Sequence, residues 1–229
     1  MLADLIPLFH LRIRTARLEL RLPHPDELPA LAAAAASGIH RPDERPFLAG
    51  PGETAWALLP PHERAMNLIQ WNLSALGSWK PEQWRLELAV FLEGEPIGVQ
   101  AVHAEHYAIT RQVTTGSWLR LDRQGNGLGT QMREAALALV FDHLEGEWAR
   151  TCTYDHNLAS NRVSEKLGYR PDGLDVVAKE DGRAHTVRRH RMSKADWTAM
   201  PRGAVEVDGV ADVRSWVGLD AQNGGDRQG

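Results

Sequence analysis

The sequence lacks the features that mark several large classes of protein. It has one cysteine, Cys152, so no internal disulfide can form, and no cluster of Cys and His shows metal-ligand spacing. A reducing cytoplasm fits this, and no metal is expected. Nowhere does the chain approach the about 18 consecutive apolar residues of a membrane span. The opening MLADLIPLFHLRIR also lacks the basic start and long apolar stretch of a secretory signal. The chain therefore reads as neither membrane-spanning nor secreted. Basic excess is missing too: 26 Lys and Arg stand against 30 Asp and Glu, a formal net charge of -4. Binding to phosphate backbones is driven by the opposite balance, so a nucleic-acid partner is not expected.

What is present is ordinary for a globular domain: 229 residues, 43% hydrophobic and 24% charged, enough for one large core. RLELRL alternates Leu18, Leu20 and Leu22 with charged residues and reads as a half-buried strand. PHPDELPALAAAAAS reads as a helix ending before Gly38, residues 39–61 as loop, and HERAMNLIQWNLSALG as a second helix. WRLELAVFLEG and EPIGVQAVHAEHY form a predicted hairpin turning at Glu93-Gly94-Glu95, followed by a third strand, VTTGSWLRL. TQMREAALALVFDHL sets Met132, Ala136, Leu139, Val140 and Leu144 on one helical face. RTCTYDH, NLASNRVSEKLGY and a hairpin turning at residues 180–183 complete the order βααβββαβαββ. A domain over residues 1–200 and a partly disordered extension over 201–229 are expected. Within the extension, VEVDGVADVRSWVGL has apolar positions suited to an edge strand or to a crossing into a second subunit, hence an expected homodimer.

The stretch RQGNGLGT, residues 123–130, carries three glycines just before the helix start. A strand, a glycine-rich turn and a helix N-terminus present unpaired N–H groups and a positive dipole end to an anion such as a phosphate. The dinucleotide pattern GxGxxG fails, because Thr130 stands where the third glycine belongs. The ATP-binding P-loop fails as well, because no GK[ST] follows. What fits is (Q/R)-x-x-G-x-(G/A), as Gln124, Gly127 and Gly129, with a second motif N-x-x-S-x-x-x-x-x-x-L-G-Y, as Asn157, Ser160, Leu167, Gly168 and Tyr169. On these residues and the element order, about residues 12–197 resemble the GNAT superfamily of acyl-CoA-dependent N-acyltransferases. Within it the chain looks like the ribosomal-protein alanine acetyltransferases and actinobacterial succinyltransferase-like relatives with a Trp-rich segment.

The resemblance implies a single α/β (α+β) domain: a mixed, mostly antiparallel sheet with a splayed parallel strand pair and helices on both faces. It implies acetyl-CoA or succinyl-CoA as co-substrate and a primary amine as acceptor. Backbone N–H groups around Gln124, Gly125, Asn126, Gly127, Leu128, Gly129 and Thr130 would hold the CoA pyrophosphate, with Arg123 adding a charge. The pantetheine arm would run along VTTGSWLRL, where Gly116 suits a bulge or a close approach, and a backbone N–H near Trp118 or Leu119 would serve as oxyanion donor. Ser160 is carried over as the acid for the departing sulfur and Asn157 as a cofactor contact. Both residue types are equally at home as helix N-caps.

Other roles stay open. Tyr154 rivals Ser160 as acid. Many relatives place a glutamate on the strand before the glycine loop, yet VTTGSWLRL has no carboxylate before Asp122. His103, Glu105, His106 and Glu87 are the candidate bases, each with an ordinary explanation as a strand-end charge or a satisfied histidine. Asp155 and His156 could line the acceptor pocket. Arg85, Arg111 and His103 could receive an acidic acyl group. Trp56, Trp71, Trp79 and Trp84 are core residues or a pocket wall, and Cys152 reads as a small buried hydrophobe. The contrasting reading is a CoA-binding sensor or assembly module without turnover.

Overall fold

The computed structural model describes residues 2–41, 49–51 and 53–219. A one-turn helix, α1 (Leu2–Leu5), leads into β1 (Arg12–Arg14) and the antiparallel β2 (Leu18–Arg21), whose leucines are buried while Glu19 and Arg21 stay at the surface. β1 is too short for alternation to have revealed it. Glu27 then organises the start of α2 (Leu28–Ala36): its carboxylate accepts from the His24 N–H at 2.8 Å and from both terminal nitrogens of Arg21 at 2.6 and 2.7 Å. Helix α3 (Pro61–Gly77) begins at a proline, whose missing N–H costs nothing in a first turn.

Strands β3 (Gln83–Leu92) and β4 (Glu95–Glu105) form the expected hairpin. Its two turn residues, Glu93 and Gly94, both have positive φ, the geometry of a tight two-residue turn. After the short α4 (Tyr107–Thr110), β5 (Gln112–Leu119) pairs back on β4. Helix α5 (Leu128–Ala138) follows the glycine loop and ends in a wide turn over Leu139–His143. Then come β6 (Trp148–Tyr154), α6 (Leu158–Lys166) and the hairpin β7 (Arg170–Ala178) with β8 (Ala184–Ser193). Ser193 and Asp196 exchange hydrogen bonds as a capping box on α7 (Lys194–Ala199). The described chain closes with β9 (Glu206–Asp208) and α8 (Val210–Val213).

The nine strands form one sheet in the order β7-β8-β6-β5-β4-β3-β2-β1-β9. Every neighbouring pair is antiparallel except β5 with β6. This is the mixed α/β architecture with helices on both faces that the motifs implied. Period-2 alternation sorts β3 between the faces. Leu86, Leu88 and Val90 join the main core with Met132 and Ala136 of α5 and Val140 of the turn after it, whereas Ala89 and Phe91 meet Leu31 and Ala35 of α2 and Leu68 of α3. Among the described residues, no helix is long and apolar enough to cross a membrane.

The semi-apolar island after residue 200 is built into this sheet. β9 pairs with β1 through Arg12↔Asp208, Ile13↔Val207 and Arg14↔Glu206, and Val213 and Val217 are fully buried. Residues 201–219 thus share the core of residues 1–200, and the expected disorder of residues 220–229 lies outside the described residues. Fully burying an aliphatic side chain contributes about 1.5–3 kcal/mol. Truncation after Ala199 is therefore expected to lower Tm by roughly 10 °C or more, as read by thermal unfolding of the shortened chain.

Candidate active site

The parallel pair β5–β6 stays together for only three residue pairs, Gln112↔Trp148, Val113↔Ala149 and Thr114↔Arg150. Two threonines then replace the ladder: Thr115 Oγ1 donates to the Arg150 carbonyl at 3.4 Å, and Thr151 Oγ1 donates to the Thr115 carbonyl at 3.1 Å. Beyond this fork the strands part around a cavity of about 840 Å³. The register of β5 on β4 runs unbroken from His103↔Thr114 to Gly98↔Leu119, so the bulge anticipated at Gly116 is not there. Gly116 instead borders open space on the cavity wall. Just past β5, the Arg120 N–H donates to the Ile97 carbonyl. Ladder alternation therefore turns Trp118 and Gly116 toward β4 and aims the N–H groups of Ser117 and Leu119 into the fork. Of the two anticipated donors, the Leu119 N–H thus faces the fork and the Trp118 N–H faces β4.

The glycine loop borders the same cavity. Gly125 and Gly127 have φ of 79° and 78°, a backbone region that favours glycine, and nothing stands within 4 Å of where a Cβ would lie on either. The Gln124 side chain pins the loop by donating to the Ile39 carbonyl at 2.8 Å and the Leu119 carbonyl at 2.9 Å. Among the described residues, the N–H groups of Asn126 to Gly129 have no acceptor, as the first turn of a helix requires. Gln124, Gly125, Gly127, Gly129 and Thr130 line the cavity with Trp118 and Leu119; Arg123, Asn126 and Leu128 do not. Arg123 is paired with Glu95 at 2.9 Å, Leu128 is buried in the core, and the Asn126 carbonyl accepts from Arg17, a loop neighbour that sequence spacing could not reveal.

Asn157 and Ser160 both reach the cavity, and the cap is real as well: Asn157 Oδ1 accepts from the Ser160 N–H at 3.1 Å. Tyr154 lines the cavity too, stacked on His156 at 5.5 Å between ring centroids. Cys152 corrects the sequence reading, because it is exposed on the cavity wall and not buried. In β6 the buried row is Ala149, Thr151 and Thr153, so alternation turns the cysteine outward. Asp155 does not face the cavity, being paired with Arg188.

On the α2/α3 face, the register brings together two of the candidate bases. Glu87 is buried and accepts from Trp71 Nε1 at 2.8 Å, while His103 Nε2 stands 3.3 Å from the same carboxylate oxygen without hydrogen-bond alignment. Neither of the two lines the cavity, but His103 is paired across β4–β5 with Thr114, which does. Glu105 is exposed, contacted by Gln83, and does not reach the cavity; His106 is a left-handed residue before α4. Nor do Arg85 or Arg111 line it: Arg85 lies over the Trp71 ring and Arg111 pairs with Glu145. Among the described residues, the cations that line it are Arg133, Arg150, Arg162, Lys179 and Arg189, against one carboxylate, Asp175. The tryptophans divide, with Trp79, Trp84 and Trp216 packed together in the core and Trp56 against Trp118 beside the cavity.

A helix start with free N–H groups, opening on a parted parallel pair, defines an acyl-CoA-binding transferase of mixed α/β architecture. The model of the acetyltransferase (GNAT) domain matches residues 17–170, and the chain belongs to that family. It is an acyl-CoA-dependent N-acyltransferase. Its fold is similar to that of RimJ from Mycobacterium smegmatis in complex with CoA-disulfide, at 16% identity over 90% of this chain and 92% of that one, TM-score 0.64. It is also similar to the ribosomal-protein-S5-alanine acetyltransferase from Vibrio fischeri, at 15% identity, coverage of 83% and 99%, and TM-score 0.61. A third likeness is to RimL, a ribosomal L7/L12 α-N-protein acetyltransferase bound to coenzyme A as a cysteine disulfide, at 18% identity, coverage of 78% and 95%, and TM-score 0.57.

Beneath the fork, His190 is buried opposite Thr151, and burial together with Arg188 lowers its pKa from 6.5. The unfolded chain then takes up a proton near pH 6.5 that the folded protein refuses. The stability tied to a neutral His190 is complete above that pH and is lost as pH falls through the lowered folded value. Thermal unfolding from pH 7.5 to 5 is expected to show a smaller Tm loss in His190→Gln than in the unsubstituted protein.

Proposed function

We propose that the enzyme transfers an acetyl or succinyl group from CoA to a primary amine of a peptide, protein or small molecule by direct attack in a ternary complex. The observation that carries this reading is the cavity itself, which is lined by residues from both faces of the sheet. Ser117, Leu119, Thr151 and Val163 line it toward α5 and α6; Gly116, Trp118, Cys152 and Tyr154 line it toward the opposite face. Donor and acceptor could thus meet at the fork from opposite sides. CoA phosphates would lie at the N–H groups of the glycine loop, and the thioester between β5 and β6.

In this reading the N–H groups of Ser117 and Leu119 face the carbonyl oxygen as it gains charge, and such preorganised donors are worth about 3–4 kcal/mol each in comparable sites. Ser160 protonates the departing sulfur, with Tyr154 as the rival on the same wall. Glu87 and His103 take the proton from the amine through water beside Thr114. Trp71, hydrogen-bonded to the carboxylate, keeps Glu87 turned toward the ring. This pair supplies what the missing β5 carboxylate provides in many relatives.

Calorimetric titration with acetyl-CoA and succinyl-CoA tests the cofactor half. Gly127→Trp, which places a large ring over the loop, is expected to remove binding while leaving a folded protein. Glu87→Gln is expected to lower kcat about 10- to 100-fold with little change in the KM for acyl-CoA. CoA binding without transfer to a broad amine panel would favour the sensor reading instead.

A further inference from the structure

One residue on the cavity wall has chemistry that the proposed mechanism does not use. Arg133 lies on α5, one turn beyond Gly129, and is only 4% exposed. Its Nη1 donates to Ser164 Oγ on α6 at 3.0 Å, its Nη2 makes a longer contact of 3.4 Å with Ser117 Oγ on β5, and its Nε has no partner. The guanidinium therefore spans the parted elements with only hydroxyls for company. Among the described residues no carboxylate is within ion-pair distance; the charged or titratable groups near it are the buried Tyr169 and His190. Tyr169 stays a neutral phenol, because burial raises its pKa. Arginine does not shed its proton in a protein, and removing an unpaired cation from water is strongly unfavourable. A site that keeps such a charge is incomplete until an anion enters it.

We propose that Arg133 is the counter-ion for negative charge at the thioester end of the CoA arm, carried either by the thiolate that leaves or by a carboxylate on the acyl chain. The inference rests on the reading that CoA enters the fork. Its geometry is independent of the loop: Ser164 Oγ accepts from Arg133 and donates to the Ser160 carbonyl at 3.1 Å, so two hydrogen bonds link the guanidinium to the backbone of the residue carried over as the sulfur's acid. Ser117, its other contact, is one of the two residues whose N–H faces the fork. When the amine attacks, the new C–N bond forms, the C–S bond breaks and the electron pair goes to sulfur. A cation held in place beforehand stabilises that sulfur without any reorganisation.

The test compares the unsubstituted enzyme with Arg133→Met and Arg133→Lys, titrating CoA, desulfo-CoA, acetyl-CoA and succinyl-CoA, with transfer rates alongside. A purely structural arginine would make Arg133→Met less stable. The proposal expects its Tm without ligand to be equal or higher, because an uncompensated charge has been removed. If the anion is the thiolate, CoA loses about tenfold or more in affinity in Arg133→Met, desulfo-CoA is unaffected, kcat falls with little change in KM, and Arg133→Lys recovers part of both. If it is an acyl carboxylate, the enzyme prefers succinyl-CoA to acetyl-CoA by about tenfold or more, and Arg133→Met erases that preference. An effect of one methionine or lysine on a paired or desolvated charge commonly has this size. Should Arg133→Met not fold, the thiolate absorbance of CoA bound to the unsubstituted enzyme decides the first case, with ionisation expected at least about one pH unit below that of free CoA. CoA binding with no preference between acyl groups, no lowered thiol ionisation and equal kinetics in the variants would overturn the proposal. Failure of CoA to bind the unsubstituted enzyme would instead defeat the functional reading on which it rests.

Discussion

The structure turns on the fork at Thr114 and Arg150. A parallel pair normally continues, because each further residue satisfies two backbone groups. Here Thr115 and Thr151 take over with their hydroxyls, each reaching the main chain of the neighbouring strand. The Tyr169 hydroxyl stands 3.5 Å from Thr115 Oγ1, close to where the strands begin to diverge. On the other side of β5, Gln100 is fully buried and donates to the carbonyls of Ala101 and Gly116, holding that strand on β4 while it leaves β6. A sheet opened in this way has inward-facing N–H groups with no strand opposite them.

Gly98 shows how closely the parted strand is held. A Cβ there would run into the Trp118 carbonyl and the Leu119 side chain, so only glycine lets β5 sit this tightly at its end. That closeness fixes Leu119, whose carbonyl in turn accepts from Gln124 and anchors the glycine loop. Residues from a hairpin, a strand end and a helix start are thereby coupled into one frame. The excess of cations around the cavity contrasts with the acidic balance of the chain as a whole, and a focused positive field of this kind raises the local concentration of an anionic cofactor.

Much of this was legible in the order of residues. The glycine spacing at Gly125, Gly127 and Gly129, the Asn157/Ser160 motif and the alternating runs of the meander are local patterns, and local patterns report backbone conformation well. What stayed hidden depends on pairing. Glu87 and His103 meet only because Arg85↔His103 and Glu87↔Ala101 are in register, which neither strand states alone. Cys152 was misjudged because hydrophobicity was taken as a guide to burial in a strand whose buried row holds threonines. Arg133 escaped notice for the same reason, since a charged residue on an amphipathic helix ordinarily faces water. β1 was too short to see alone, while the island VEVDGVADVRSWVGL read as suited to an edge strand and β9 is one, its partner β1 being what the sequence did not name.

That last pairing bears on how the chain reaches its native state. The ion pair between Arg14 and Asp208 joins residues 194 positions apart, so it ties an early segment to a very late one. During synthesis β1 must wait, with one edge uncovered, until β9 has left the ribosome. Contacts of such sequence separation slow folding, because loop closure precedes any gain from pairing. The fork between β5 and β6, made of elements between β3 and β8, can assemble sooner. The order of birth thus separates a centre able to form early from a rim that completes it last.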